Sequence, residues 1–163
     1  MAQTARIPDV AAQRSAMRKL DFLIGKWSGE ASVLRGPGPL VELVQTEEAS
    51  FKLDGLLLMI EGVGRTKSDG TLALQALGLI SYDDELNTYR MRAFNDGRWL
   101  ESDVELAEEQ HSISWGFTIG EIRTKSILRL NEKGEWTELA ELTWGDAPPR
   151  KLMDLTVRRT HTT

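Results

Sequence analysis

Few side chains in this sequence are placed to do chemistry, and Glu138 is the most telling of them. It stands in Trp136-Thr137-Glu138-Leu139-Ala140-Glu141-Leu142-Thr143-Trp144, where the even positions are Trp, Glu, Ala, Leu and Trp. Successive side chains of a strand face opposite ways, so Glu138 belongs to the more apolar face. A carboxylate buried there without a partner would cost several kcal/mol. It therefore needs a cation, water or a ligand. Arg90 and Arg92 are candidate partners, although Tyr89, Met91 and Ala93 take the apolar parity on that strand. A structural salt bridge and a ligand-orienting polar pair both fit. His111 shares parity with Ile113, Trp115 and Phe117, which would point it inward. The commoner role for such a histidine is a hydrogen-bonded core residue; the alternative is an acid or base acting with Glu138. Glu61 and Gln75 also lie on largely apolar segments and are pocket candidates.

Other chemistries lack their residues. The chain has 163 residues and no cysteine, which removes disulfides, thiolate metal sites and thiol catalysis. Two histidines without metal-binding spacing do not make a catalytic zinc site, which usually takes three protein ligands. No metal, cofactor or catalytic residue is expected on these grounds. There is no Gly-x-Ser-x-Gly motif. Gly36-Pro37-Gly38-Pro39 lacks the lysine and helix of a phosphate loop. Asp83-Asp84-Glu85 lacks the spacing of a calcium loop and reads as a solvated turn. Glu101, Asp103, Glu105, Glu108 and Glu109 read as the outer face of a strand and its turn. A net charge of −5 gives no attraction to phosphate backbones, so nucleic acid is not an expected partner. The longest strongly apolar run, Leu56 to Ile60, is far short of the roughly 20 residues of a membrane helix. Met1 to Arg14 shows no basic start followed by an apolar stretch. The expectation is a cytoplasmic protein without a membrane partner.

The elements that must position these residues are mostly strands. One helix is expected over about 9–24, with Asp9 as N-cap and Met17, Leu20 and Ile24 as its apolar stripe. After Gly25 the period becomes two. Strands are expected over about 26–33, 40–53, 56–65, 72–82, 88–94, 99–106, 111–119, 122–130, 136–144 and 150–160. Asp54-Gly55, Ser68-Asp69-Gly70, Asn95-Asp96-Gly97 and Asn131-Glu132-Lys133-Gly134 supply turns. Connections of hairpin length make the sheet antiparallel. About ten meandering strands with one apolar face predict an up-and-down barrel, because closure removes exposed edges. The chain reads as one domain, 1–163, with a barrel over about 25–160 and a frayed tail over 160–163.

Specific segments sharpen this. Leu20-Asp21-Phe22-Leu23-Ile24-Gly25-Lys26-Trp27-Ser28-Gly29 resembles the helix and Gly-x-Trp opening of lipocalin-type, or calycin, barrels. Gly78 to Asp83, Tyr89 to Phe94, Trp136 to Glu138 and Leu152 to Arg159 follow in order. Together they resemble a bacterial lipocalin-like family of unknown function, catalogued as DUF1579, over roughly Leu20 to Arg159. More distantly the chain is similar to nitrobindin-type and fatty-acid-binding barrels. The resemblance implies that Trp27 closes one end of the barrel under Arg158 or Arg159. Nitrobindins bind heme through a histidine near the last strand. The comparable stretch here, Pro148-Pro149-Arg150-Lys151-Leu152, has none, and His161 comes some ten residues later. That departure argues against heme.

The leading expectation is a binding module holding a small, largely apolar molecule, lined by Glu138, Trp115, Phe117, Met91, Tyr89, Arg92, His111 and Met153. One alternative is a small-molecule enzyme using Glu138, with His111, as acid or base. The other is a solid barrel acting through its exterior. Trp99, on the parity of Glu101 and Asp103, should point outward and could anchor a homodimer.

Overall fold

A computed structural model describes residues 6–160. The chain opens with helix α1, Val10–Arg18. Asp9 caps it, its carboxylate accepting from the Ala12 N–H at 3.0 Å. The α-helix is shorter than the expected 9–24. After Arg18 the chain tightens into a 3-10 turn, Asp21–Leu23, and Gly25 at φ +138° begins the first strand. The tightening brings Met17, Leu20 and Leu23 onto one face, all fully buried.

Ten strands follow: β1 Gly25–Val33, β2 Val41–Lys52, β3 Leu57–Thr66, β4 Leu72–Asp83, β5 Thr88–Asn95, β6 Arg98–Ala107, β7 Ser112–Ile119, β8 Ile122–Leu130, β9 Trp136–Trp144 and β10 Arg150–Arg159. Each pairs with its neighbours in sequence, and β1 pairs with β10 to close an antiparallel barrel. This is the fold expected of a lipocalin-like chain. His161 and the last residues of the expected tail lie outside the described residues.

Up-and-down topology sends alternate turns to opposite ends. The end carrying α1 is capped. Trp27 donates to the Leu23 carbonyl at 2.9 Å, meets Trp136 edge to face at 5.4 Å and lies under the Arg159 guanidinium at 4.3 Å. Arg159, of the two arginines considered, makes the cation–π contact. It also donates to the Phe22 carbonyl at 2.7 Å. Helix α1 is pinned across this end. The Tyr89 hydroxyl donates to the Ala16 carbonyl at 2.7 Å, and Asp84 accepts from the Asp9 N–H and the Gln13 amide at 3.0 and 2.8 Å. Asp84 is thus a helix anchor and not merely part of a solvated turn. Among the described residues, no helix is long and apolar enough to cross a membrane.

The opposite end carries the turn between β1 and β2 and that between β5 and β6, and it is open. Arg35 and Asp96, from those turns, form an ion pair at 3.9 Å across its mouth. Bulges occur at Gly64/Arg65 and Lys151/Met153. Both fall toward the open end, so the in/out parity read from the sequence holds through the middle of every strand.

Candidate functional site

The barrel is solid at its capped half and hollow at its open half. Trp136 marks the floor: it packs on Trp27 and also lines a cavity of about 280 Å³. That is near the lower end of ligand pockets, roughly 300–1,000 Å³. One wall, from β7, β8 and β10, is bulky, with Trp115, Phe117, Leu128 and Met153. The facing wall is stripped of side chains by Gly62, Gly78, Ala76 and Ala93. A Cβ at Gly78 would meet nothing within 4 Å, so this glycine directly enlarges the space.

Two carboxyls face the cavity. Glu138 comes from β9, as the alternation around it requires. Glu47 comes from β2, on the same parity as Val41, Leu43, Gln45, Ala49 and Phe51. Both line the hollow, and the surface they keep accessible is turned into it. Burial pushes Glu138 up to about 7, an effect the nearby Trp136 indole only partly offsets. The Trp136 N–H does not reach hydrogen-bond geometry and stays unpartnered among the described residues. Burial raises Glu47 well above the usual carboxyl range, the charge of Glu138 raises it further, and a hydrogen bond from Gln45 opposes both. That bond, Gln45 Nε2 to Glu47 Oε1, measures 2.9 Å.

Glycines on β3 make room for this pair. Gly62 and Gly64 face inward opposite Glu47 and Gln45 in the β2–β3 register. A Cβ at Gly62 would stand 2.8 Å from both Glu47 carboxyl oxygens. One at Gly64 would stand 2.5 Å from Gln45 Oε1 and 2.7 Å from a Leu43 methyl. The polar side chains therefore lie across the β3 backbone, a close approach only glycine permits.

Five of the eight sequence-derived pocket residues come together here: Glu138, Trp115, Phe117, Met91 and Met153. Tyr89 faces inward but stops beneath α1, and burial first, then Tyr82 and Glu108, pushes its hydroxyl up to about 12. Arg92 points outward, where it pairs with Glu101 at 3.3 Å and covers Trp99 at 4.8 Å. Arg90 is likewise outside, bound to Asp103. Neither arginine reaches Glu138, so the salt-bridge explanation of that residue fails. His111 is exposed at the capped end, in the left-handed conformation at φ 47°, with its ring 5.1 Å from Phe22. It precedes β7, so strand parity does not apply to it. Glu61 and Gln75 are exposed on the outer face. Trp99 is outside, as expected, packed edge to face on Phe94 at 5.1 Å.

Glu47, Gln45, Gly62, Gly64 and Gly78 escaped the sequence reading. The signal was present for the first two, which share a parity with Leu43 and Ala49 just as Glu138 does with Ala140. Among the described residues, no three potential metal ligands converge.

No protein-family model matches the chain, and no curated protein matches it. Solved structures do. The crystal structure of Rv2717c from M. tuberculosis is similar with a TM-score of 0.66 at 11% identity, over 90% of this chain and 98% of that one. At that identity the likeness shows the fold alone, a calycin-like ten-stranded barrel.

Proposed function

We propose that this barrel holds a small, largely apolar molecule in its open half, with a polar end of that molecule against the floor, and that it belongs with the DUF1579-like barrels. The observation that carries this is the 280 Å³ hollow itself. A side-chain-filled interior is the ordinary alternative for a small barrel, and here one wall is made of glycine and alanine instead. Met91, beside that wall on β5, and Met153, across from it on β10, add adaptable, apolar contact surface. Octan-1-ol is a suitable probe, with Trp115 and Trp136 as fluorescent reporters. Saturable binding that Gly78→Leu abolishes, in a variant that still melts cooperatively, supports the proposal. Failure of octan-1-ol to bind at millimolar concentration opposes it.

A second reading is favoured by one observation. Glu138 sits near neutrality, in a hollow shared with a second carboxyl, which suits proton transfer to or from a bound molecule. His111 has no part in it. On any substrate found, Glu138→Gln should remove turnover; unchanged rates would exclude Glu138 as acid or base.

A further inference from the structure

Both carboxyls that the barrel commits to its cavity floor are hydrogen-bond acceptors when ionised, and neither is paired with a cation among the described residues. The groups lining the hollow that can carry charge are Glu47, Glu138, Arg35 and Asp96. Arg35 and Asp96 are at the mouth and engage each other. On the floor the carboxyls face each other's charge, while Gln45 supplies one amide hydrogen bond to Glu47. Glu138 takes no hydrogen bond of good geometry from any described residue. The Trp136 N–H beside it, in a side chain only 1% exposed, is also unpartnered.

Such an arrangement is poorly satisfied by the protein alone. Buried polar groups are normally paired, and unpaired ones call for an explanation. With both carboxyls ionised, a carboxylate ligand would add a third like charge. A divalent metal would want six or more oxygens for calcium, or near-octahedral geometry for magnesium, and among the described residues no third carboxylate, histidine or cysteine converges on the pair. An ammonium is different. It brings a positive charge and several N–H donors on a single atom, and an apolar tail attached to it would occupy the wall of Trp115, Phe117 and Met153.

We propose that the molecule held in the barrel is an apolar amine, bound as its cation, with the ammonium seated against Glu47 and Glu138 and its hydrocarbon part pointing toward the mouth. This rests on the reading of the barrel as a carrier of small apolar molecules and adds the charge of the ligand's polar end.

The test is calorimetric titration with three probes of one chain length: n-octylamine, octan-1-ol and n-octanoate. At pH 8 alkylamines, like lysine, are protonated. The wild-type protein should bind octylamine at least tenfold more tightly than octanol, with octanoate weakest. Glu138→Gln and Glu47→Gln, which keep shape and remove charge, should each cut the ratio of octylamine to octanol affinity severalfold. Equal affinity for amine and alcohol, or a preference for octanoate, would overturn the amine assignment and leave the apolar carrier standing. Absence of binding by all three would overturn both.

Discussion

At the residue scale, the molecule keeps two carboxyls in a place where charge is costly. The sign of the consequence follows from linkage. Glu138 has an ordinary value of 4.5 and is held at about 7 in the fold. Between those values the native state binds the proton that the unfolded state has lost. Stability is therefore fullest below about pH 4.5 with respect to this group, and it falls as the pH rises through 7. Glu138→Gln should remove that slope and, at pH 8, stabilise the protein by on the order of 3 kcal/mol. Urea titrations of both proteins at pH 5 and pH 8 check this. A variant no more stable than wild type at pH 8 would mean that Glu138 is solvated. The β3 glycines differ in what they tolerate. Gly62→Ala meets only the end of the Glu47 side chain, which can swing aside. Gly64→Ala also meets Leu43 and, at 3.2 Å, the Leu74 Cβ, so it should cost about 1–3 kcal/mol. Thermal melts should rank Gly64→Ala clearly below Gly62→Ala. Alternation alone made Glu138 legible, since its neighbours of like parity are Trp136 and Ala140. Glu47 was equally legible by that rule, but the long polar run Gln45 to Glu48 masked its apolar flanks. The role of Gly62 and Gly64 was not legible, because it depends on which strand lies beside β2 and in what register.

At the element scale, α1 is a plug held from outside by polar groups and from inside by Met17, Leu20 and Leu23. Tyr89 links the two, its ring in the barrel and its hydroxyl on the helix. Tyr89→Phe keeps the ring and deletes the bond, leaving the Ala16 carbonyl without that donor. The expected loss is about 1 kcal/mol, with faster amide exchange confined to α1. Exchange that accelerates throughout the sheet would contradict a local clasp. The helix N-terminus, its apolar stripe and every strand could be read from caps, turns and period. The helix end could not, because Lys19 and Leu20 are good helix formers, and only the demand that the chain turn into β1 converts the next residues to a 3-10 turn. A second local feature comes from pairing. β6 and β7 share three rungs, from Glu105↔Ser114 to Ala107↔Ser112, and diverge toward the mouth beside Leu100 and Phe117. Nothing in the alternation of either strand discloses where a ladder stops.

At the scale of the whole molecule, the two ends have different tasks. Packing concentrates at the capped end, where Trp27, Trp136 and the helix fill the bore. Space concentrates at the other, under the ion pair between Arg35 and Asp96. Exposed pairs of this kind contribute about 0–1 kcal/mol. Arg35→Ala should therefore change the exchange rate of a bound probe by no more than about fivefold, and the melting temperature by no more than about 4 °C. Stopped-flow fluorescence would show it, and a large stability loss would assign that pair a structural role instead. The closed barrel was readable from the sequence because hairpin turns between period-two segments leave few topologies. Whether its interior is open was not readable, since the same inward side chains line a hollow or fill a core.

The hollow is tested most directly by the methyl groups of methionine. Met91 and Met153 line it, Met17 is sealed in the plug and Met59 lies outside the lining. In a carbon-13 methyl NMR titration with octan-1-ol, Met91 and Met153 should shift saturably and together, while Met17 and Met59 stay in place. Shifts of Met59 alone, or uniform shifts that never saturate, would mean that the probe coats the surface and that the open half of the barrel is not a binding site.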